Sequence, residues 1–408
     1  MITQEQIANI VDFQKELFGK TDSFPREGLD KLRSAENFAT IVTGLRRCGK
    51  STFLHQFLRR NQTDFFHLNF EDTRLAGFEI SDFARLSDEI RKRKINILFF
   101  DEIQLVKGWE IFIHQKLNEG YRIFITGSNA ALLSKEMGTH LTGRHLSSEL
   151  FPFSYKEFVG FKKLEYNEES LKSYLFSGGI PEYLKTGINE ILNNLMDDVL
   201  IRDIAIRYGV RDVAALRQLA VYLVSNIGTP VSANKIAGMF GIKAGSTVLE
   251  YFYYFKDSYL LDFMPMFSYS LKTQTRNLKK IYAVDMGIYS QNSTIFSDNS
   301  GRRLENTVYL HLRRHYKELY YFKEKSECDF VAMERGNVKQ LIQVCYQIDE
   351  LNFKREYEGL KEAMDYFEIK AGIIVTFNQQ DRFENNGYTV QLIPAHKYMS
   401  EEAFSLYE

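Results

Sequence analysis

The sequence predicts an α/β protein in which two α/β domains flank a helical middle region. Between residues 39 and 153 short apolar runs alternate with helical stretches, as in buried parallel strands joined by crossover helices. Helical spacing dominates the next stretch, and strand-like runs return after residue 280. The chain has 408 residues, and single cores stop growing at roughly 250–300 residues. Several domains are therefore expected.

The bulk composition indicates a folded cytoplasmic protein. Hydrophobic residues make up 44% of the chain and charged residues 26%, as in globular domains. The net charge of −1 provides no general attraction to nucleic acid or acidic membranes. Three scattered cysteines argue against a disulfide framework, and the start, MITQEQIANI, does not resemble a signal peptide. Because no apolar stretch approaches the roughly 20 residues that span a bilayer, we expect no membrane partner.

The most specific motif follows the first apolar run. Residues 44–51 read GLRRCGKS and match G-x-x-x-x-G-K-[ST] between a predicted strand and a predicted helix. In such a loop the backbone amides surround phosphate oxygens, the lysine contacts the β and γ phosphates, and the hydroxyl ligates Mg²⁺. The sequence therefore predicts a P-loop NTPase core with a parallel sheet that binds ATP and Mg²⁺. The predicted nucleotide-binding residues are Gly44, Arg46, Cys48, Gly49, Lys50, Ser51 and Thr52.

Two carboxylates follow another buried run, INILFF. Asp101 and Glu102 would lie at the carboxyl end of that strand, where open α/β sheets bind ligands. We expect Asp101 and Ser51 to hold the metal, and Glu102 to polarise the attacking water. A solvated turn is the alternative for such a pair, but its coupling to the P-loop favours a catalytic role.

Two further catalytic candidates are less specific. The next strand ends in TGSN, so that Ser128 or Asn129 could reach the γ phosphate or the water, although Gly-Ser-Asn is also common in turns. Arg144, just before the fifth apolar run, could stabilise charge in the transition state from its own or a neighbouring subunit. An exposed structural arginine is the alternative.

These motifs together resemble a known family. The segments IVTGLRRCGKST, NFED, LFFDEIQ, TGSN, ELFPFSYKEF, GGIPEYL and ENTVYLHLRR are similar to an AAA+-type ATPase family of bacteria and archaea, related to the STAND ATPases. The resemblance covers nearly the whole chain. It implies a sheet of the additional-strand type, Glu102 as catalytic base, and a C-terminal domain of unknown function with a restriction-endonuclease-like fold. It supplies no substrate.

The middle of the chain predicts a helical lid and a winged helix. Three helical segments and an apolar strand between residues 212 and 267 have the order of a winged helix-turn-helix. Lys272, Arg276, Lys279 and Lys280 could contact DNA. The third helix, however, is rich in Tyr and Phe, which favours packing or protein contact.

The C-terminal domain carries a pattern similar to the PD-(D/E)xK nucleases. Glu305 opens a predicted helix, Asp329 begins a predicted strand, and Gln343 and Cys345 lie two residues apart on another. Cys345 replaces the lysine that supports the attacking water, so we expect a degenerate site that does not cut DNA; Lys323 and Lys325 are the nearest substitutes in sequence. The alternative is an α/β domain whose acids are ordinary surface residues.

Five domains are therefore expected. They are an N-terminal helical lead-in at 1–35, a P-loop ATPase core at 36–153, a helical lid or connector at 154–211, a winged-helix region at 212–279 and a nuclease-like α/β domain at 280–408. The favoured function is an ATPase whose nucleotide state moves the later domains. An ATP-controlled DNA-processing nuclease and a nucleotide-gated scaffold with little turnover remain alternatives. DNA, a protein client and a second copy of the chain are the candidate partners besides ATP.

Overall fold

The chain divides into two units in the computed structural model, which describes residues 2–19, 23–61, 64–129, 143–295 and 299–400. The first unit contains Met1–Phe151 and the short segment Asp257–Tyr259. The second unit contains Pro152–Lys256 and Leu260–Glu408. No helix among the described residues has both the length and the apolar character needed to cross a membrane.

The first unit is built on a five-stranded parallel sheet. Its strands are β1 (Ala39–Thr43), β2 (Phe66–Asn69), β3 (Ile97–Asp101), β4 (Arg122–Gly127) and β5 (His145–Glu149), in the order β2-β3-β4-β1-β5. The five apolar runs therefore form strands as predicted, although the last strand ends before residues 150–153. Since β4 lies between β1 and β3, the sheet is of the additional-strand type.

Helices cover the sheet of the first unit and close its core. They are α1 (Gln4–Gly19), α2 (Lys50–Arg60), α3 (Asp82–Arg93) and α4 (Trp109–Asn118). Ile7 and Ile10 of α1 belong to the same buried cluster as Leu98 and Phe100 of β3 and Ile125 of β4. The N-terminal helix thus packs into the core of the first unit.

The second unit begins with helices and a small sheet. Its first part contains α5 (Tyr155–Lys162), α6 (Glu168–Ser177), α7 (Pro181–Thr186), α8 (Glu190–Asp198), a π-helix (Val199–Ile206), α9 (Val213–Ser225), β6 (Pro230–Val231), α10 (Ala233–Met239), α11 (Gly245–Asp257), β7 (Leu261–Pro265), α12 (Leu271–Arg276) and β8 (Lys279–Ala283). The three strands form an antiparallel sheet in the order β6-β8-β7. Ser154 and Glu157 form a capping box that starts α5.

The rest of the second unit is a mixed six-stranded sheet with helices. The elements are α13 (Met286–Asn292), α14 (Ser300–His315), β9 (Glu318–Lys323), β10 (Glu327–Glu334), β11 (Asn337–Val344), α15 (Phe353–Tyr366), β12 (Ala371–Thr376), β13 (Asp381–Asn385), β14 (Tyr388–Pro394) and α16 (Ala395–Tyr398). The order is β13-β14-β12-β11-β10-β9, with β12 parallel to β11 and β14. This confirms the predicted second α/β domain. Glu305 lies inside α14 rather than at its start, and Cys345 follows the last residue of β11.

Candidate functional site

The phosphate-binding loop joins β1 to α2. Gly44 has φ 155° and Gly49 has φ 96°, and both angles favour glycine. A Cβ on Gly44 would lie 2.1 Å from the Leu150 carbonyl oxygen, so only glycine allows this close approach beyond β5. The loop amides precede the N-terminus of α2, where the helix dipole favours a phosphate.

Lys50 is buried at the start of α2 and points back into the loop. Its Nζ donates to the carbonyl oxygens of Gly44 and Leu45, both at 3.1 Å. The same nitrogen lies 3.8 Å from Glu102 Oε1. The P-loop lysine and the predicted base therefore belong to one cluster.

Asp101 ends β3 and is fully enclosed. Its carboxylate accepts hydrogen bonds from the hydroxyls of Ser51 and Thr126. Burial, and then the charge of Glu102, raise the pKa of Asp101 to about 6 from an ordinary 3.8. The side chains of Ser51 and Asp101, both hard oxygen ligands, are thus adjacent, as a Mg²⁺ site requires.

The raised pKa of Asp101 predicts a cost in stability above pH 6. The folded state holds the proton between pH 3.8 and about 6 while the unfolded state has released it, so the free energy of unfolding should fall across this range and stay low above it. Asp101→Asn carries no charge and should be more stable than the parent at about pH 8, by on the order of 3 kcal/mol. The difference should vanish near pH 4.

Urea unfolding at the two pH values measures this effect. Asp88→Asn is a matched control because Asp88 is half-exposed and forms an ion pair with Arg91 of its own helix. An Asp101→Asn protein that is equally destabilised at both pH values would contradict the prediction.

Glu102 adopts a left-handed backbone conformation, with φ 54°, which is uncommon for residues other than glycine. Gln104 Nε2 donates to Glu102 Oε2, and the Ser128 backbone amide lies 3.4 Å from the same oxygen. Asn129 follows β4 and is buried at this edge of the sheet. The structure therefore brings Lys50, Ser51, Asp101, Glu102 and the end of β4 together.

Two residues that support the loop were missed by sequence reasoning. The Arg26 guanidinium donates to the carbonyl oxygens of Cys48 at 2.6 Å and Phe151 at 2.8 Å. Glu71 pairs with Arg46 at 2.6 Å. Arg26 stands in a polar segment without a motif, so no sequence signal could have identified it. Glu71 belongs to the NFED segment at the end of a predicted strand. Asp101 and Glu102 occupy the same kind of position, so this placement was a signal for Glu71.

A tyrosine from far along the chain also reaches this region of the first unit. The Tyr259 hydroxyl lies 2.8 Å from Thr43 Oγ1, at the end of β1 directly before the P-loop, and 3.3 Å from Glu149 Oε1. Tyr259 has φ 57°. Its ring is therefore held in place next to the phosphate-binding loop.

Arg144 lies at the opposite edge of the sheet. Its carbonyl oxygen accepts from the amide of Ala39, the first residue of β1. Its guanidinium contacts Asn118 at 2.8 Å and His114 at 2.9 Å, both on α4. Strands rise about 3.3 Å per residue, so the length of β1 separates this edge from the P-loop by roughly 16 Å. The structure does not bring Arg144 to the other site residues of its own chain.

Of the four site candidates in the C-terminal domain, three lie close together and Cys345 makes a separate contact. Glu305 and Asp329 both contact Lys280, on β8. Gln343 accepts from the Asp329 amide at 3.1 Å and donates to Glu356 at 2.7 Å. Cys345 donates to the Gln347 carbonyl at 3.1 Å. Among the described residues no group of three or more His, Cys, Asp or Glu side chains has the geometry to hold a metal ion.

The predicted roles of three lysines require correction. Lys280 is buried and cannot contact DNA, which leaves only Lys272, Arg276 and Lys279 for that prediction. The lysine nearest to Asp329 is Lys280, not Lys323 or Lys325, and Lys323 pairs with Glu327 instead. The pairing of Lys280 with Glu305 and Asp329 was not predicted because these partners lie 25 and 49 residues away in sequence.

The site and the sheet define a P-loop nucleotide-binding protein, and comparison with known proteins supports this class. A family model described as an AAA domain matches residues 36–159, and one described as a domain of unknown function (DUF8612) matches residues 168–299. An uncharacterized protein of Methanocaldococcus jannaschii is 33% identical over 405 residues, which cover 90% of this chain and 89% of that protein. An uncharacterized protein of Haemophilus influenzae is 28% identical over 81% of this chain and 90% of its own length.

This chain therefore belongs to the same family as the Methanocaldococcus protein, and it contains an AAA domain at residues 36–159, most of which lies in the first unit. The resemblance to AAA-type ATPases is confirmed for that domain. Among solved structures, the Thermotoga maritima RuvB Holliday junction branch migration motor aligns with 62% of this chain and 89% of its own, at 16% identity and a TM-score of 0.30. The family assignment rests on the sequence relatives.

Proposed function

We propose that this protein binds and hydrolyses ATP at the carboxyl edge of the first sheet. The main support for this proposal is the contact of Lys50 Nζ with Glu102 Oε1, at 3.8 Å. Next to it, the Asp101 carboxylate accepts a hydrogen bond from Ser51. P-loop lysine, metal-binding hydroxyl, metal-binding carboxylate and base are the parts that phosphoryl transfer to water needs.

ATP would be held mainly by the loop backbone and Lys50. The amides of residues 44–49 and the N-terminus of α2 would receive the phosphates. Lys50 would exchange its two carbonyl partners, Gly44 and Leu45, for phosphate oxygens. Arg26 supports this exchange because it anchors the loop through the Cys48 carbonyl.

The residues present fit a magnesium ion. Ser51 and Asp101 would hold it, and the bound ion would neutralise charge between the β and γ phosphates. The pKa of about 6 for Asp101 leaves its carboxylate ionised at neutral pH, as a metal ligand must be.

Glu102 would take the proton from the attacking water. Its Oε2 is held by Gln104 and approached by the Ser128 amide, which leaves Oε1, the atom nearer Lys50, directed toward the phosphate region. Asn129 would orient the water or the γ phosphate from the end of β4. Magnesium-dependent phosphate release by the purified chain tests the proposal, and its absence would contradict it.

Arg144 could serve hydrolysis only from a neighbouring copy. Arg144→Ala should then lower the rate about tenfold, as expected for one lost charge-assisted contact. Mixing this variant with Lys50→Ala protein should restore part of the activity, because each copy supplies what the other lacks. Arg122→Ala, at the same edge of the sheet, is the matched control and should retain activity. An unchanged rate in Arg144→Ala would leave the residue a structural role.

The second unit would respond to the nucleotide. The Tyr259 hydroxyl, two residues after α11, hydrogen-bonds to Thr43 directly before the P-loop. A shift of Thr43 on ATP binding would therefore move Tyr259 and the start of β7, which follows it in the chain. We infer that residues 212–279 form a winged helix, since a helix, a short strand, two helices and a further strand follow in that order. We also infer a nuclease-like fold for residues 280–408, supported by the mixed sheet and by Asp329 next to the β11 strand.

A further inference from the structure

Three carboxylates of the second unit converge on one buried ammonium group. Lys280 Nζ lies 2.8 Å from Asp329 Oδ1, 2.9 Å from Glu327 Oε1 and 3.2 Å from Glu305 Oε1. These partners come from α14 and β10, while Lys280 comes from β8. The lysine side chain is 2% exposed, and Glu327 is 28% exposed. The cluster is therefore buried but has one side that reaches solvent.

The hydrogen-bonding capacity of the ammonium group is filled by these contacts. A lysine ammonium has three donors and no acceptor, and here each donor has one carboxylate partner. Each carboxylate also has a second donor: Tyr282 for Glu305, Lys323 for Glu327 and the Val344 amide for Asp329. The cluster is thus complete without any further ligand.

The charges of the cluster are not balanced by the lysine alone. Burial would lower the pKa of Lys280, but the carboxylates, Asp329 first, hold it well above its ordinary value. Burial raises the pKa of Glu305 to about 7, against the opposing effect of Lys280. Two ammonium groups, the buried Lys280 and the half-exposed Lys323, face three acidic groups. Carboxylate oxygens gathered in this way are also the ligands that hard divalent cations prefer.

We propose that the ammonium group of Lys280 is the built-in cation of this cluster, standing in the position of a divalent metal ion, so that the domain neither binds such an ion there nor cleaves phosphodiesters. The proposal rests on the contacts of the second unit and is independent of ATP hydrolysis. It gives a reason for inactivity other than the cysteine at position 345. The acids remain because they hold β8, α14 and β10 together through the lysine.

Removing the ammonium group should create a metal site. Lys280→Met keeps most of the aliphatic stem and frees the position of Nζ. The variant of the 408-residue chain, without nucleotide, should bind one more Mn²⁺ ion per chain than the parent. The loss of the free Mn²⁺ paramagnetic resonance signal measures this binding. Its unfolding temperature should fall without metal and rise again with Mn²⁺. Lys279→Met, the neighbouring residue on β8, should do neither.

A second substitution assigns the new site. Asp329→Asn added to Lys280→Met should remove the extra Mn²⁺ ion while leaving any Mn²⁺ bound elsewhere. A folded Lys280→Met protein that binds no additional Mn²⁺ overturns the proposal. If Lys280→Met does not fold, Mn²⁺ binding is compared between the wild-type chain and Asp329→Asn. Binding that is lost in Asp329→Asn overturns the proposal, and equal binding by the two proteins supports it.

Incubation of the wild-type chain with linear and supercoiled DNA and Mn²⁺ provides an independent readout. The DNA should remain intact. Cleavage that disappears in Asp329→Asn would show that Lys280 assists a metal-dependent reaction instead of replacing the metal. Phosphate release from ATP, measured in the same samples, separates this outcome from a failure of the ATPase proposal.

Discussion

Replacing Glu102 with glutamine is expected to slow ATP hydrolysis by about 10²- to 10⁴-fold, the usual contribution of a general base. Glutamine keeps the shape of the side chain and can still contact Gln104, but it cannot accept the proton of the attacking water. ATP binding should be unchanged or stronger, because one negative charge near the phosphates is lost. Phosphate release and nucleotide affinity, measured separately, distinguish the two effects.

The matched control for Glu102→Gln is Glu79→Gln, an exposed residue of the first unit. It should hydrolyse ATP at the parent rate. Hydrolysis by Glu102→Gln at the parent rate would remove Glu102 from the mechanism and would favour a base outside the cluster.

Lys50→Ala should weaken ATP binding by about 10- to 150-fold, because a hydrogen bond to a charged group contributes about 1.5–3 kcal/mol. The variant also loses the two contacts to the loop carbonyls, so its unfolding temperature must be recorded. Equilibrium binding of a fluorescent ATP analogue measures the effect. Lys92→Ala, exposed on α3, is the control, and equal affinity in both variants would contradict the P-loop assignment.

The sequence predicts the first unit well because its signals are local. The strands β1 to β4 are short, largely apolar and largely buried runs, as strands buried on both faces must be. The outer strand β5 is mostly polar and half-buried. The P-loop needs glycine at Gly44, where any Cβ would meet the Leu150 carbonyl, so its pattern is hard to imitate by chance. Asp101 and Glu102 follow a strand directly, and parallel strands deliver their ends to one edge.

Arg144 shows a limit of reading motifs without strand direction. It precedes β5, and the start of a parallel strand lies at the edge opposite the ligands. The same rule that predicts Asp101 and Glu102 near the P-loop therefore predicts that Arg144 lies away from it. Had the rule been applied to Arg144 as well, the sequence would have predicted a catalytic role for it only from a neighbouring subunit.

Lys280 shows what the sequence alone could not reveal. Lys279 and Lys280 are adjacent on β8, so strand alternation requires that their side chains point to opposite faces, and only one of them could be a surface cation. Which one enters the core depends on the packing of β8 against α14 and β10. That contact joins segments 25 and 49 residues apart and has no local signature.

The segment Asp257–Tyr259 has a consequence for how the protein is made. It belongs to the first unit, while the chain on both sides belongs to the second. A ribosome releases the chain from its N-terminus, so the AAA domain would leave the exit tunnel with Thr43 still lacking the hydroxyl of Tyr259. This contact could form only after residues 152–256 had also been synthesised. A polypeptide truncated after Phe151 would remain at that unfinished stage.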